Sequence, residues 1–374
     1  MLFHCLLMCL LWIGAMHGQP SLKTQVVPYS SHGTAAGNDL LHVASRQGGK
    51  TLPSAQHSHP VPFAHPLKRD RAQLGFKTMM GQKGLGGWHA LSQKEMWKKS
   101  IVRHDSRWAF RQYARSITHL NHSPIQTIPK TLHFVWIGPK QFPEESIANL
   151  ISWKTHHPTW QMFFWTDDKE RPLPIEGMKR RLLEELDLGP LQPFFEASVN
   201  WGEKSDLVRY MVIYEEGGIY TDHDVECVRP LDPLSSHYDF VAGFAPLHFY
   251  TFSLNSPFVP NNGIIISRPH HPILEKTISR LSARWEMLNM KTVGDDRRSI
   301  VRGVVSRTFD PFAYCASHYI DSDCYRNILL PASYLHSANC FKKKTFDELL
   351  DHGHVYAIHR LNAAWAPPPK KEKA

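Results

Sequence analysis

From residue 128 onward, short apolar runs alternate with segments whose apolar residues recur at the period of a helix. The apolar runs predict strands and the periodic segments predict helices. Alternation of this kind is typical of a mostly parallel α/β sheet with helices on both faces. The predicted strands cover residues 131–137, 161–165, 219–222, 238–244, 263–267 and 355–359, and the predicted helices cover residues 144–156, 178–186, 205–216 and 272–288.

The N-terminal part of the chain has a different pattern. Residues 5–16 are almost all apolar but too few for a full membrane span, so residues 1–18 predict a signal peptide or a signal-anchor that attaches the chain to a membrane. Residues 19–125 are rich in Gly, Ser, His and Pro and predict a basic, largely disordered stem, with amphipathic helical spacing only at residues 95–117. We therefore expect a folded domain at residues 126–368, a tail at residues 369–374, and a location in the secretory pathway. Within that pathway we expect the Golgi lumen or membrane, with secretion as the alternative.

Composition and charge narrow the class of protein. The chain is 42% hydrophobic and 21% charged, as globular proteins are. The net charge of +9 comes from the N-terminal third, because residues 1–127 hold 15 Lys/Arg and 4 Asp/Glu (+11) and the rest holds 28 and 30 (−2). No dense Lys/Arg block occurs, so we expect no nucleic-acid partner.

Beyond the predicted signal the chain has four cysteines: Cys227, Cys315, Cys324 and Cys340. Four cysteines allow three disulfide pairings, which the sequence does not distinguish.

The most informative stretch is SDLVRYMVIYEEGGIYTDHDVE, residues 205–226. Ser205 is a suitable N-cap for the predicted helix, and Gly217-Gly218 suits its C-terminal end. Asp206 and Arg209 lie three residues apart and share a helix face. Such a pair is more often a surface ion pair than a site, so the pair alone does not identify a function.

Two carboxylates follow the helix. In an extended chain Asp222 and Asp224 project to the same side, as Tyr220 and Asp222 do. Two close carboxylates repel each other unless one is protonated or a cation lies between them, and hard oxygen ligands suit Mg²⁺ or Mn²⁺. By itself an Asp-x-Asp sequence is more often a solvated turn.

Together these residues resemble a known family. The pattern Ser-Asp-x-x-Arg-Tyr followed by Gly-Gly-x-Tyr-x-Asp-x-Asp is similar to that of the DXD-motif glycosyltransferases, the family of the initiating mannosyltransferases and inositol phosphoceramide mannosyltransferases. More distantly, it is similar to the large glucosylating toxins. The resemblance extends over about residues 126–368, from the Trp136-Ile137-Gly138 strand end to a His359…Trp365 element.

The resemblance implies a GT-A type nucleotide-binding sheet and a retaining, metal-dependent transfer of a hexose from a nucleotide-diphosphate sugar to a glycan or glycolipid acceptor. It implies catalytic roles for the carboxylates and the arginine, with Mn²⁺ or Mg²⁺ on Asp222, Asp224 and His359. The donor is GDP-mannose or a UDP-hexose, with mannose favoured. The expected site residues are the catalytic Asp206, Arg209, Asp222 and Asp224, and the donor-binding Trp136, Tyr220, Asn262, His359 and Trp365.

Two other functions fit parts of the same sequence. Asp222-His223-Asp224-Val225 also matches the opening of haloacid-dehalogenase-type phosphatases, in which the first Asp is a nucleophile. That enzyme class expects a longer apolar strand before the first Asp and gives Asp206 and Arg209 no role. The second alternative is a non-catalytic sugar-nucleotide-binding module, against which the intact carboxylate pair argues.

Overall fold

The computed structural model describes residues 69–81, 100–247, 256–288, 303–336 and 338–360. Short 3₁₀ helices occur at Ile117–Asn121, Glu144–Ser146, Leu183–Glu185, Gly189–Leu191 and Ala338–Cys340, and a π-helix at Val305–Phe309. The α-helices are α1 Arg69–Met80, α2 Ser100–Ser116, α3 Ile147–His156, α4 Gln192–Ala197, α5 Trp201–Glu216, α6 Asp232–His237, α7 Pro272–Leu288, α8 Asp310–Tyr319, α9 Ala332–Leu335 and α10 Lys343–Asp351.

The strands are β1 Thr131–Val135, β2 Gln161–Thr166, β3 Met178–Leu182, β4 Gly218–Thr221, β5 Val225–Cys227, β6 Phe240–Phe244, β7 Pro260–Ser267, β8 Asn327–Leu330 and β9 Ala357–His359. Within the described residues, seven of them form one mixed sheet in the order β3-β2-β1-β4-β7-β6-β8, and β5 pairs with β9 in a separate antiparallel ribbon. The pairs β3·β2, β2·β1, β1·β4 and β6·β8 are parallel, whereas β7 runs antiparallel to both β4 and β6. The predicted α/β class with a mostly parallel sheet is confirmed.

The central strands are buried on both faces, which explains their unbroken apolar sequences. All four residues of β4 are buried, and so is every residue of β7 except Asn261. Gly218 starts β4 at a φ of 90°, and a Cβ there would lie 2.1 Å from the hydroxyl of Thr131. Glycine is therefore required both for the backbone turn after α5 and for the close approach of β4 to β1.

One predicted helix is wrong. Residues 178–186, MKRRLLEEL, consist largely of good helix formers, but residues 178–182 form strand β3. β3 pairs in parallel with β2 along its whole length, from Met178 opposite Met162 to Leu182 opposite Thr166. Lys179 and Arg180 are exposed on this edge strand, as charged residues on sheet edges commonly are.

The domain boundary predicted at residue 126 stays a prediction. Helices α1 and α2 precede it, and α2 packs against β8 of the sheet. The buried side chain of Gln112 donates to the carbonyl of Leu329 in β8 at 2.7 Å and accepts from the same residue's N–H at 3.1 Å. Phe76 of α1 is buried and stacks on Phe258 with ring centroids 6.5 Å apart. The predicted signal, the tail and residues 19–68 of the predicted stem lie outside the described residues.

Two further expectations concern cysteines and membranes. Among the described residues there is no disulfide; Cys227, Cys315 and Cys340 are buried and Cys324 is exposed. None of the helices in the described ranges combines the length and apolar composition that a membrane span requires.

Candidate active site

The site lies at one edge of the sheet, where β1 and β4 end and β7 begins. β1 and β4 are parallel neighbours, so Trp136 and Asp222, which follow their last residues, emerge at the same edge. β7 is antiparallel to β4, which brings its first residues to that edge, and the Asp222 N–H donates to the carbonyl of Gly263 at 2.9 Å. The carboxyl edge of parallel strands is where ligands of α/β folds commonly bind.

Helix α5 carries Asp206 and Arg209 to this edge. The helix begins at Trp201, because the Asn200 side chain accepts from the N–H groups of Gly202 at 2.8 Å and Glu203 at 3.2 Å. The predicted N-cap Ser205 is therefore wrong, since this residue lies inside the helix and lines the cavity described below.

Asp222, Asp224 and His359 converge, with one potential ligand atom of each within 4.8 Å of the others. Asp222 and Asp224 do not reach this arrangement through an extended chain, because residues 223 and 224 form a turn in which the Val225 N–H donates to the Asp222 carbonyl at 3.2 Å. His359 arrives through the ribbon, where Val225 of β5 pairs with His359 of β9. Its Nε2 lies 3.2 Å from Asp224 Oδ1 and 3.7 Å from Asp222 Oδ2.

This cluster has the chemistry of a divalent-cation site. Two carboxylates and an imidazole suit Mn²⁺, and Nε2 of His359 faces both carboxylates. Gly263 leaves the space around the cluster open, since a Cβ there would lie 2.8 Å from His359 Cε1 and 2.9 Å from Asp222 Oδ2. The residues therefore fit a metal that Asp222, Asp224 and His359 would hold. Burial lowers the pKa of His359, but Asp224 and Asp222 together outweigh burial, so that the pKa is raised overall.

Arg209 joins Asp206 to Asp222. One of its terminal nitrogens lies 2.9 Å from Asp206 Oδ1 and 3.2 Å from Asp222 Oδ1, and its guanidinium lies over the ring of Tyr220 at 4.5 Å. The Tyr220 hydroxyl in turn donates to Asp222 Oδ1 at 2.7 Å. Burial opposes the charge on Arg209, but the two carboxylates dominate and raise its pKa further, so the cation is permanent.

Asp206 lies behind the cavity wall. It is 6% exposed, and burial raises its pKa despite the neighbouring Arg209. Its Oδ1 accepts from Arg209 and from the Asn262 amide at 3.1 Å, and its Oδ2 accepts from the hydroxyl of Thr308. Asn262 is also buried and donates to the Tyr210 hydroxyl at 2.8 Å. The structure thus places both predicted site residues, Asp206 and Asn262, where they orient Arg209 rather than where they line the cavity.

The open space at the edge is a cavity of about 400 Å³. Trp136 and His223 form one wall, with ring centroids 4.8 Å apart, and the Trp136 indole N–H donates to the Lys140 carbonyl at 2.8 Å. His223 points to Ser146, whose hydroxyl is 2.8 Å from its Nδ1, and lies outside the metal-ligand cluster. The lining residues are Val135, Trp136, Ile137, Pro139, Lys140, Trp201, Gly202, Ser205, Arg209, Tyr220, Asp222, His223, Asp224, Asn261, Val305 and His359.

Several residues that line the cavity are not among those predicted from the sequence. Asn261 shares a face of β7 with Gly263 and lines the cavity, while Asn262 points the other way, so strand alternation identifies Asn261 as the lining residue. Trp201, 39% exposed at the cavity rim, had no recognisable signal because it lies before the motif. The predicted site residue Trp365 lies outside the described residues.

Comparison with known proteins agrees with this geometry. Residues 143–241 match the family model described as the glycosyltransferase sugar-binding region containing DXD motif. Inositol phosphoceramide mannosyltransferase 3 of Schizosaccharomyces pombe is 33% identical over 155 residues, which are 41% of this chain and 37% of that protein. Inositol phosphoceramide mannosyltransferase 1 of the same organism is 27% identical over 42% of this chain and 44% of that protein, so these matches span less than half of the two relatives.

Two further matches are broader but more distant. An uncharacterised glycosyltransferase of Acanthamoeba polyphaga mimivirus is 24% identical over 64% of this chain and 84% of that protein. Among solved structures, the PaToxG glycosyltransferase covers 57% of this chain and 78% of its own at 19% identity, with a TM-score of 0.40. The resemblance inferred from the motif is confirmed: residues 143–241 match the DXD-containing glycosyltransferase sugar-binding region, and part of the chain is similar to the inositol phosphoceramide mannosyltransferases.

Proposed function

We propose that this protein is a metal-dependent, retaining glycosyltransferase that transfers a hexose from a nucleotide-diphosphate sugar to a glycan or glycolipid acceptor. The observation that carries the proposal is the convergence of Asp222, Asp224 and His359 beside Arg209 in one cavity. Mannose is the favoured hexose, because the named relatives include mannosyltransferases. GDP-mannose is thus the first donor to test, before the UDP-hexoses.

The charges of the site suit a departing diphosphate. When the glycosidic bond breaks, the bonding pair leaves with the β-phosphate oxygen and negative charge grows there. A divalent cation bound by Asp222, Asp224 and His359 would act as a Lewis acid toward that charge. Arg209, permanently charged and buried beside Asp222, adds a fixed positive charge that needs no reorganisation during the reaction.

Each wall of the cavity has a proposed task. Trp136, half-buried at the end of β1, provides an aromatic edge or face for the nucleobase. The Tyr220 hydroxyl donates to Asp222, and the Tyr220 ring packs against the guanidinium of Arg209. Among the described lining residues the carboxylates are Asp222 and Asp224, both on the cluster, which supports same-face transfer without a separate carboxylate nucleophile.

The test is a hydrolysis screen on the full chain with GDP-mannose, UDP-glucose and UDP-galactose, each with Mn²⁺, Mg²⁺ or a chelator. We expect one donor to be hydrolysed, only with metal, and the released sugar to keep its anomeric configuration by NMR. Asp224→Asn should abolish hydrolysis, whereas Asp321→Asn, which alters an exposed aspartate paired with Arg115, should not.

The other outcomes identify the alternatives. A burst of phosphate from a phosphate monoester, without any sugar donor, would indicate the phosphatase mechanism with Asp222 as nucleophile. Metal-dependent binding of a nucleoside diphosphate without hydrolysis or transfer, in both the wild type and Asp224→Asn, would indicate a binding module. Full donor hydrolysis in the presence of the chelator would refute the role of the metal.

A further inference from the structure

The π-helix Val305–Phe309 packs against the site-bearing helix α5. π-Helices are rare and occur frequently at functional sites, because the widened turn redirects side chains. In this segment Val305 lines the cavity, and the Thr308 hydroxyl donates to Asp206. Neither Val305 nor Thr308 belongs to the sequence pattern that contains the DXD motif.

Three contacts fix the segment on α5. Arg307 forms an ion pair with the buried Glu203, whose other oxygen accepts from the Ser198 hydroxyl at 2.6 Å. The Thr308 hydroxyl donates to Asp206 Oδ2, and the Thr308 carbonyl accepts from the Tyr210 hydroxyl at 3.1 Å. Two of the three contacts therefore involve acidic residues of the first two turns of α5.

We propose that Thr308 is a positioning residue of the active site, which holds Asp206 so that Asp206 holds Arg209 toward Asp222 and the cavity. This inference rests on the proposed function. Asp206 Oδ1 accepts hydrogen bonds from Arg209 and Asn262, and Asp206 Oδ2 accepts one from the Thr308 hydroxyl. With both oxygens bonded, the carboxylate cannot rotate, and the guanidinium stays between Asp206 and Asp222.

The hydroxyl proton of Thr308 has two candidate acceptors. Besides Asp206, the carbonyl of Val304 one turn earlier lies 2.9 Å from the same oxygen. A hydroxyl has one proton, and a carboxylate is the stronger acceptor, so the proton belongs to Asp206. If the proton instead went to Val304, Thr308 would be an ordinary buried helical threonine with no effect on Arg209.

Thr277 is the matched control for that ordinary role. It is fully buried, and its hydroxyl donates to the carbonyl of Ile273 one turn earlier at 2.8 Å, within α7. Thr277→Val therefore removes a buried hydroxyl with the same local bond but without the contact to Asp206. Comparing it with Thr308→Val isolates the link to the site.

The experiment measures donor hydrolysis in the full chain with the active donor and metal. We expect Thr308→Val to lower kcat about 10-fold or more relative to Thr277→Val, since a hydrogen bond to a charged group is lost. We expect the affinity for the corresponding nucleoside diphosphate, measured by calorimetry with the same metal, to change less than about 3-fold. Thr308→Ser should restore most of kcat, because it keeps the hydroxyl.

Equal activities of Thr308→Val and Thr277→Val would overturn the proposal, as would equal losses in Thr308→Val and Thr308→Ser. If Thr308→Val does not fold, Thr308→Ala and Thr308→Ser decide, since both lose the methyl group and only serine keeps the hydroxyl. A serine variant no more active than the alanine variant then overturns the proposal. A wild type that hydrolyses no nucleotide sugar refutes the proposed function as well, which the other outcomes do not.

Discussion

Gly263 offers a direct way to perturb the carboxylate–histidine cluster without removing any of its ligands. A Cβ at this position would lie 2.8 Å from His359 Cε1 and 2.9 Å from both Asp222 Oδ2 and Asn261 Oδ1. Ordinary contact begins at 3.4 Å, so these groups must move apart by 3.4 − 2.8 = 0.6 Å and 3.4 − 2.9 = 0.5 Å. The backbone of Gly263 is not in the left-handed region, so alanine is disfavoured there by space and not by conformation.

We therefore expect Gly263→Ala to fold and to be impaired in metal-dependent catalysis. A misplacement of about 1 Å costs roughly 100-fold in rate, so half that distance predicts a loss of about 10-fold in donor hydrolysis. The assay is donor hydrolysis at varied Mn²⁺ concentration, together with the Mn²⁺-dependent rise in Tm. Gly75→Ala is the control, because no atom lies within 4 Å of a Cβ there and the change should stabilise α1 by about 0.5–1 kcal/mol. An unchanged Mn²⁺ titration and unchanged hydrolysis in Gly263→Ala would refute the assignment of the cluster as the metal site.

Two further predictions concern stability. Burial, together with the nearby Arg181, lowers the pKa of His133 from 6.5 to about 3. Below pH 6.5 the unfolded chain therefore takes up a proton that the folded chain does not, and the free energy of unfolding falls with pH until about pH 3. Between pH 7.5 and 5.5, His133→Gln should therefore lose about 1.4 kcal/mol less free energy of unfolding in urea than the wild type, and equal losses would contradict this. Gln112→Ala should lower the free energy of unfolding by about 2 kcal/mol, since it leaves the N–H and carbonyl of Leu329 in β8 without their partner, and a change below about 0.5 kcal/mol would show that water replaces it.

The sequence predicted the elements whose local pattern and tertiary environment agree. β1 and β2 were identified as short apolar runs, and the long helix α7 was identified because its apolar residues repeat at the period of a helix. β3 was misassigned because MKRRLLEEL favours a helix locally, and only its pairing with β2 makes it a strand. The ribbon β5·β9 joins residues that are at least 130 positions apart in the sequence, so no local pattern predicts its pairing.

The candidate site divides in the same way. The convergence of Asp222 and Asp224 follows from their separation by two residues, although a turn rather than an extended chain produces it. The roles of Thr308 and Asn261 depend on which side chains the sheet edge and the π-helix bring together. Such contacts depend on tertiary packing, and the spacing of residues in the sequence does not predict them.

The two carboxylates that hold Arg209 differ in a way that separates catalysis from folding. Asp206 is buried with partners on both oxygens, whereas the side chain of Asp222 is 21% exposed and faces the cavity. Asp206→Ala removes the buried partner of Arg209 and leaves the more exposed Asp222 as its remaining carboxylate, which should cost about 3–5 kcal/mol of the free energy of unfolding. Asp222→Ala leaves the buried pair of Arg209 and Asp206 intact at 2.9 Å, so we expect a loss of about 1 kcal/mol or less.

Both variants should lose donor hydrolysis, but for different reasons that denaturant unfolding and calorimetry distinguish. Asp222→Ala should unfold near the wild-type urea concentration and fail to bind Mn²⁺, because it lacks one of the three ligand side chains. Asp206→Ala should unfold at a much lower urea concentration while its remaining folded fraction still binds Mn²⁺, because the ligand cluster is intact. If instead Asp222→Ala were the more destabilised variant, Arg209 would depend on Asp222 for its burial. The Asp206–Thr308 contact would then not be what orients the site.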